Sequence, residues 1–395
     1  MLQAKLNTGE LITLFQLSSE EIEKLRFKAR FFCPTCHNQV IIKAGRSVTP
    51  HFAHSIMSGC PSGDGGEGVY HEKGKYLLFH WLQRQNVNAS LEEYIPEINQ
   101  RPDLLLRINE KKVAIEFQCA RISIQEIMKR TEGYVKVGIV PIWILGANHF
   151  KRKGTNLVQL DQFTLHFIHQ FTPELPLVIY FYDPASSLFI TATDIIQTTN
   201  SQAIAKLSFR KLEDMNFLGM FKGMFLSSTM IVDEWKKAKQ KFRMYQPRRL
   251  YGKELAWHRW LYLKGTHREY LPSVIYLPVS SQYLLNTSPW DWQSRICLEL
   301  ITPRSTGEII SLQACQRLLK NSITTESLPL IQPSKDPIME YLQLLCNLQF
   351  MTQVSAEAFV KTHDFCHYSH IEEALIGDTK LMDVLLQKFS SKLRA

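Results

Sequence analysis

Residues 101–118, RPDLLLRINEKKVAIEFQ, consist of two apolar flanks separated by the polar residues 109–112, which is typical of a β-hairpin. We expect the polar residues 109–112 to form the turn and the strands to pair symmetrically about it. Asp103 would then face Gln118, with Glu116 on the same side of the strand pair. The opposite side is continuously apolar, which predicts a face packed against helices.

The polar side of this hairpin carries candidate metal ligands. Asp103 and Glu116 offer carboxylates and Gln118 offers an amide oxygen, and hard oxygen ligands of this kind suit Mg²⁺ or Mn²⁺. The alternative is a structural hairpin whose two acids simply face solvent. We favour the metal site because Asp103 follows Arg101-Pro102 and a helix pattern follows the hairpin. Glu116 and Gln118 also lie two residues apart inside a strongly apolar strand.

Residues 69–85 have the spacing of a helix with one mixed stripe. Its members are His71, Lys75, Leu78 and Leu82. This stripe would direct His71 and Lys75 to the edge of the core, where Lys75 could clamp a phosphate and His71 could carry a proton. The alternative is a surface pair at a helix start. Glu67 and Glu72 are nearby acids, and their spacing does not decide which of them would join a metal site.

The pattern downstream predicts an α/β (α+β) domain. A helix at residues 122–136 and a buried strand at 137–145 follow the hairpin, and residues 157–194 contain the strand-like runs LVQL, LHFIH and LVIYFYDP. We expect this domain to span residues 67–168, with the sheet extending to about residue 220. Residues 230–395 predict a basic, largely helical C-terminal domain.

A Cys-Pro-Thr-Cys knuckle predicts a metal site within the first 62 residues. Cys33 and Cys36 have the spacing at which two thiolates grip one tetrahedral ion. The candidates for the remaining ligands are His51, His54 and Cys60. We prefer His54 with Cys60, and His51 is the alternative. A zinc-ribbon-like domain with structural Zn²⁺ is favoured over a metal-free β-hairpin domain.

Composition narrows the class of protein. The chain has 395 residues, of which 45% are hydrophobic, and its net charge of +9 with a pI near 9.0 favours an anionic partner such as nucleic acid. The chain shows neither a signal-peptide pattern nor a run of about 20 apolar residues, which predicts a cytoplasmic protein without membrane insertion. In that reducing compartment its 8 cysteines favour metal binding and free thiols over disulfides.

A basic stretch with interleaved aromatic residues runs over residues 235–268. It contains eleven Lys or Arg and a single acid, Glu254. Cations that neutralise phosphates and rings that stack on bases are typical of single-stranded DNA binding. The alternative is an amphipathic helix with aromatics in the core. The predicted DNA contacts are Arg101, Arg130, Arg248, Arg249, Lys253, Trp257 and Arg259.

Several motifs in combination resemble the competence protein CoiA family over about residues 1–220. They are Cys33-Pro34-Thr35-Cys36, His51-Phe52-Ala53-His54, His71 with Lys75, Arg101-Pro102-Asp103, Ile115-Glu116-Phe117-Gln118, Arg130 with Tyr134, and Ile142-Trp143-Ile144-Leu145. The order of hairpin, helix and strand resembles the PD-(D/E)xK nuclease fold. That resemblance implies a restriction-endonuclease-like mixed sheet flanked by helices.

The resemblance also implies roles for individual residues. Asp103 and Glu116 would hold the metal, and a Lys two residues after the Glu commonly assists the attacking water in such nucleases. Gln118 stands at that position, so water activation by Lys is in doubt. Family members are cytoplasmic proteins of naturally transformable Gram-positive bacteria, implicated in handling incoming DNA on its way to recombination.

The sequence is compatible with two main functions. The first is a Mg²⁺- or Mn²⁺-dependent deoxyribonuclease that acts on incoming DNA. The alternative is a non-catalytic DNA-binding adaptor that keeps the nuclease scaffold and presents strands to recombination proteins, which Gln118 favours. A zinc-dependent protein-interaction module is a weaker third. The chain contains no Gly-rich phosphate loop or Walker sequence, which argues against an ATP-driven helicase.

Overall fold

A computed structural model describes residues 1–14, 17–45, 48–54, 60, 68–245, 249–323, 328–331 and 335–392. Two residues singled out in the sequence, Glu67 and Arg248, lie outside the described residues. Among the described helices, none is both long and apolar enough to cross a bilayer.

The N-terminal region is a five-stranded antiparallel sheet in the order β2-β1-β3-β4-β5. Its strands are β1 Gln3–Leu6, β2 Leu11–Thr13, β3 Phe31–Phe32, β4 Gln39–Gly45 and β5 Val48–His54. Helix α1, Ser19–Lys28, begins at a capping box in which Ser18 and Glu21 satisfy each other's backbone N–H groups. Phe31, Val40 and Phe52 fill the core beneath it.

The central region is built on an eight-stranded mixed sheet in the order β10-β13-β12-β11-β9-β8-β7-β6. Strand β9 is parallel to both of its neighbours, and the other pairs are antiparallel. The strands are β6 Asn88–Leu91, β7 Leu104–Ile108, β8 Lys111–Gln118, β9 Ile139–Gly146, β10 Leu157–Gln159, β11 Val178–Asp183, β12 Leu188–Thr199 and β13 Gln202–Lys211.

Helices cover both faces of this sheet. They are α2 Val69–Gln83, α3 Ile124–Lys136 and the short α4 Gln162–Leu165. Leu78 of α2 joins a core with Leu104 and Leu106, whereas Tyr134 of α3 packs with Leu105. Because successive strand residues point to opposite faces, α2 and α3 lie on opposite sides of the hairpin. The mixed sheet flanked by helices confirms the predicted fold class.

The β7–β8 hairpin has a tighter turn than its sequence pattern predicted. Leu104 pairs with Ile115 and Ile108 pairs with Lys111, so the turn contains two residues, 109 and 110. Asn109 adopts a left-handed backbone with φ of 53°, which Asn tolerates better than most residues. Continuing this register by one residue sets Asp103 opposite Glu116, and the predicted pairing of Asp103 with Gln118 is wrong. A shift of two residues keeps every side chain on its predicted face.

One predicted strand in the central region is a different structure. The run LHFIH at residues 165–169 follows α4, which begins at the cap residue Asp161, and contributes only an isolated bridge from His169 to Val178. The side chain of Asp161 accepts the N–H of Thr164 and so favours a helical turn over an extended strand. The runs LVQL and LVIYFYDP do contain strands β10 and β11.

The C-terminal region is largely helical, as predicted. Its helices are α5 Ser228–Met244, α6 Gly252–Leu263, α7 Pro289–Arg295, α8 Leu312–Leu318, α9 Pro337–Asn347 and α10 Ile371–Lys392. A π-helix, Ile296–Ile301, continues α7. A small sheet in the order β14-β16-β15 was not predicted, and its strands are β14 Ile309–Ser311, β15 Met351–Ser355 and β16 Ala358–Lys361.

The N-terminal sheet contacts the central region through Leu2. Its side chain is fully buried in the core that contains Leu78 and Leu104. Its backbone N–H donates to Oε2 of Glu92 at 3.2 Å. This contact places the start of the first strand beside the acids that follow β6.

Candidate active site and metal centre

Asp103 sits immediately before β7 and is held from two sides. Its Oδ2 accepts a hydrogen bond from the backbone N–H of Phe117 at 2.8 Å. The same oxygen lies 3.2 Å from Nε2 of His71, whose ring stacks on Phe117 at a centroid distance of 5.7 Å. Helix α2 thus brings His71 to Asp103 across the buried ring of Phe117, in the neighbourhood that the sequence predicted.

Glu116 lies on the face of the hairpin that α3 covers, because alternation along β8 places it opposite to Phe117, which faces α2. Its Oε1 accepts hydrogen bonds from Nε of Arg130 at 3.1 Å, from Nη2 of Arg130 and from the hydroxyl of Tyr134. Arg130 and Tyr134 stand four residues apart on α3, so both reach the same carboxylate. Arg130, predicted as a DNA contact, is therefore paired with Glu116.

The ionisation of Glu116 is shifted by its surroundings. Burial raises its pKa to about 7; the nearby charge of Asp103 also raises it, and Arg130 opposes both. The effect of Asp103 on the pKa of Glu116 indicates that the two carboxylates lie close enough for their charges to interact. The hydrogen bonds from Arg130 and Tyr134 all end on Oε1 of Glu116.

Lys75 lies beside Asp103 but is completely buried. Its Nζ is 3.8 Å from Oδ1 of Asp103, 2.5 Å from Oε1 of Glu92 and 3.4 Å from Oε1 of Glu72. An ammonium group enclosed by three carboxylates neutralises buried negative charge. It has no path to a phosphate in this conformation, so the structure does not support the predicted phosphate clamp.

Gln118 ends β8 and has a partly exposed side chain. Its amide nitrogen donates to the carbonyl oxygen of Ala120 at 2.6 Å, which fixes the amide group at the strand end. Arg101 is only partly exposed, and its carbonyl oxygen accepts a hydrogen bond from Nη2 of Arg130 at 3.2 Å. DNA contact by Arg101 stays a prediction.

The acids fit a hard divalent ion by their chemistry, since both supply carboxylate oxygens. They are nevertheless engaged by protein donors. Within the described part of the chain, three or more His, Cys, Asp or Glu ligand atoms approach within 4.8 Å of one another only in the N-terminal region. Asp103 and Glu116 therefore offer two ligands, and water or substrate would complete the shell, as Mg²⁺ commonly requires.

That N-terminal group is Cys33, Cys36, His54 and Cys60. The sulfur of Cys33 is 3.9 Å from the sulfur of Cys60, and the sulfur of Cys36 is 3.2 Å from Nε2 of His54. The preferred set of four ligands is thus brought together, and it could hold zinc. His51 precedes His54 by three residues on β5, so its side chain points to the other face of the strand.

The basic stretch divides into a buried and an exposed part. Trp257 is fully buried and donates its indole N–H to Oγ of Ser294, so the prediction that it stacks on bases is wrong. Its position four residues before the buried Leu261 makes it a core residue of α6. Lys239 and Arg243 are also buried, and both are ion-paired with Asp378 of α10.

The exposed part keeps cations and tyrosine rings. Arg249, Lys253 and Arg259 are exposed, and Nζ of Lys253 donates to the carbonyl oxygen of Asn286 at 2.9 Å. The exposed rings are Tyr245, Tyr251 and Tyr262, with 58%, 68% and 83% of their surface accessible. This exposed set is called the tyrosine-cation surface below.

The structure adds Glu72 and Glu92 to the neighbourhood of Asp103. Glu72 was a candidate whose spacing left its role open, and Glu92 was not predicted. Glu92 follows β6, which pairs with β7 so that Leu91 lies opposite Leu104. Local pattern carries no signal for this contact, because it depends on the pairing of two strands separated by a loop.

Comparison with known proteins gives one consistent result. Three family models match successive parts of the chain: "Competence protein CoiA, N-terminal domain" at residues 14–63, "Competence protein CoiA, nuclease-like domain" at 67–224 and "Competence protein CoiA, C-terminal domain" at 230–375. The chain is 29% identical over 353 residues to "Competence protein CoiA" of Bacillus subtilis (strain 168), which covers 87% of this chain and 92% of the relative. No solved structure matches the chain.

Proposed function

Because this chain belongs to the competence protein CoiA family and contains its nuclease-like domain, we propose that it is a Mg²⁺- or Mn²⁺-dependent deoxyribonuclease that acts in the cytoplasm on DNA entering during natural transformation. The observation that carries the proposal is the placement of Asp103 and Glu116 at one end of the β7–β8 hairpin, in a shared electrostatic environment. A buried acid with a raised pKa, such as Glu116, is a candidate for a functional site.

Each residue of the site has a distinct task in this proposal. Asp103 and Oε2 of Glu116 would hold the divalent ion, whose chemistry when bound would be to activate water and to neutralise charge on the scissile phosphate. Arg130 and Tyr134 hold Glu116 through Oε1 and fix its direction. His71 lies within 3.2 Å of Asp103 and is the candidate proton carrier.

Gln118 stands two residues after the strand Glu, where the pattern has a Lys. Lys75, on α2, is the Lys that lies near the site. Gln118 would orient the attacking water through its amide oxygen, since its nitrogen is bonded to Ala120. Lys75 is held among Glu72, Glu92 and Asp103, and its ammonium group would neutralise part of their negative charge. Neither residue therefore supplies a mobile cation at the position after the strand Glu.

The test compares the wild type with the isosteric double variant Asp103→Asn/Glu116→Gln on labelled single- and double-stranded DNA. Reactions contain Mg²⁺, Mn²⁺ or a chelator. We expect cleavage by the wild type only with a metal, and a loss of at least a hundredfold in the variant, since removal of metal ligands removes the main source of transition-state charge stabilisation. Glu132→Gln, an exposed acid on α3, is the matched control.

A non-catalytic adaptor is the second candidate, and Gln118 is the observation that favours it. In that case the protein would bind DNA and present strands to recombination proteins. Equal DNA binding by the wild type and the double variant, with no cleavage under any metal, would establish the adaptor and exclude the nuclease. The tyrosine-cation surface would serve either function, because stacking and phosphate neutralisation require no particular base.

The four ligands Cys33, Cys36, His54 and Cys60 are proposed to hold a structural Zn²⁺. Four protein ligands close the coordination shell and leave no position for a substrate. The ion would tie β3 to β5 and to the residue at position 60. Its role in the proposal is to stabilise the N-terminal sheet, whose Leu2 contacts the nuclease-like core.

A further inference from the structure

A polar cavity of about 210 Å³ opens beyond the ends of β8 and β9. It lies outside the group formed by Asp103 and Glu116. Its lining includes Arg121, Asn148, His149, Lys151 and Asp161. This wall is polar, which suits a charged or strongly hydrogen-bonding ligand and disfavours an apolar one.

Two residues that line the cavity are hydrogen-bonded to the backbone just after β8, the strand that carries Glu116. Nδ2 of Asn148 and Nε2 of His149 both donate to the carbonyl oxygen of Cys119, at 3.0 and 2.8 Å. Cys119 directly follows Gln118, so the segment after β9 is fixed to the end of β8. Burial lowers the pKa of His149, which keeps its ring neutral at physiological pH.

The charge of the cavity is positive. Arg121 is ion-paired with Asp161, and its guanidinium lies over the ring of Phe163 at 5.1 Å. Lys151 has an exposed side chain and adds a second cation. Two cations and one acid leave a net positive charge, and the stacked guanidinium is held in place with donors available for an anion.

We propose that this cavity binds a phosphate group of the nucleic-acid strand that occupies the Asp103–Glu116 site. The inference rests on the proposed function and adds a subsite to it. Glu116 and Cys119 are three residues apart on an extended segment, which is about 10 Å. Along one strand of duplex DNA the phosphates are about 3.4 Å apart on the helix axis, so this span covers roughly three of them. A strand held at the acids therefore reaches the cavity with a nearby phosphate.

The phosphate could belong to a strand end or to the continuous backbone. Both are phosphate esters and would meet Arg121 and Lys151 in the same way. The test therefore uses single-stranded oligonucleotides with a 5′-phosphate, with a 3′-phosphate and with neither. Binding is measured without metal in the Asp103→Asn/Glu116→Gln background, where cleavage cannot interfere.

Within this background, Arg121→Gln/Lys151→Gln should weaken binding by about tenfold or more, since two charge-assisted contacts are lost. Lys153→Gln removes a charge from the same loop outside the cavity and is the matched control. A loss confined to one phosphorylated oligonucleotide assigns the cavity to that strand end, and an equal loss for all three assigns it to the backbone. Affinity equal to that of Lys153→Gln overturns the inference.

A second variant changes affinity in the opposite direction. Asp161→Asn removes the negative charge of the cavity and frees Arg121, while Asn can still accept the N–H of Thr164 that begins α4. We expect tighter phosphate binding, and unchanged or weaker binding contradicts the inference. Cleavage by the wild type is scored separately, so the subsite and the nuclease can fail independently.

Discussion

The carboxylate of Asp103 accepts a hydrogen bond from the backbone N–H of Phe117, which joins the start of β7 to the strand that carries Glu116. The candidate metal ligand is thus also a structural acceptor. Replacing it has two separable effects, one on the hairpin and one on the chemistry.

We predict that Asp103→Ala lowers the free energy of unfolding by about 1–3 kcal/mol, because it leaves a buried N–H without an acceptor. Asp103→Asn keeps the acceptor and should change that free energy by less than about 1 kcal/mol. Urea denaturation of both variants gives the comparison. Equal stability of the two variants would show that the hydrogen bond contributes nothing, and loss of cleavage in Asp103→Asn would then still report on metal binding.

Arg130 is expected to matter for stability more than for DNA affinity. Arg130→Met removes the cation that faces buried Glu116, and we predict destabilisation by about 3 kcal/mol. Lys129→Met, at an exposed neighbour on α3, should cost less than about 1 kcal/mol. Urea unfolding and the salt dependence of DNA binding are measured for both. A flattened salt slope with native stability would instead make Arg130 a phosphate contact.

Zinc content should follow the ligand set of the structure. Metal analysis of purified protein is predicted to give about one zinc per chain, with strong depletion in Cys33→Ser and in His54→Ala. His51→Ala should retain the metal, because His51 lies on the other face of β5. Equal depletion in the two histidine variants would return His51 to the ligand set.

The tyrosine-cation surface predicts which aromatic residues contact single-stranded DNA. Tyr251→Ala/Tyr262→Ala should weaken binding by about 1–3 kcal/mol for each ring that stacks. Neutralising Arg249, Lys253 and Arg259 should flatten the salt dependence of affinity. Tyr270→Ala removes a less exposed tyrosine from the same region and serves as the control. If none of these substitutions changes the affinity for single-stranded DNA, the DNA binds to another surface of the protein.

The central sheet should lose stability in mild acid through His169. This residue is fully buried, its Nε2 accepts the N–H of Trp143 at 3.0 Å, and burial lowers its pKa from 6.5 to about 4. Between these values the unfolded chain binds a proton that the folded chain excludes, so the contribution of His169 is complete above pH 6.5 and is lost as the pH falls towards 4.

The loss amounts to about 3 kcal/mol for a shift of this size. His169→Gln keeps an acceptor for Trp143 and removes the titrating ring. Urea unfolding from pH 7 to pH 4 should therefore show a shallower decline in the variant. Parallel pH profiles for the wild type and the variant would exclude His169 as the cause.

The hairpin shows what the sequence pattern could and could not predict. The assignment of residues to its two faces was correct, because successive side chains of a strand point to opposite faces. It did not determine the turn length, since residues 109–112 are all acceptable in a turn and the choice depends on Asn109 adopting a left-handed backbone. Asp103 and Glu116 lie on the predicted face of the hairpin, and only the residues paired opposite them differ from the prediction.

Other outcomes depended on spacing within one element or on contacts between distant elements. His51 and His54 could be separated from sequence, because residues three apart on a strand face opposite ways. Trp257 and Leu261 already had the spacing of a buried helical stripe, and that reading should have excluded Trp257 from base stacking. The enclosure of Lys75 by Glu92 could not be foreseen, because it depends on how β6 pairs with β7.

The burial of Leu2 in the nuclease-like core has a practical consequence for work on fragments. A piece of the chain that begins at α2 would open an empty apolar socket and leave Oε2 of Glu92 without the N–H that Leu2 donates. Such a fragment would be prone to aggregation through the exposed apolar surface, whether or not it retained activity. The N-terminal segment therefore shields apolar surface of the nuclease-like core from solvent. Experiments on the nuclease-like part should use protein that retains this segment.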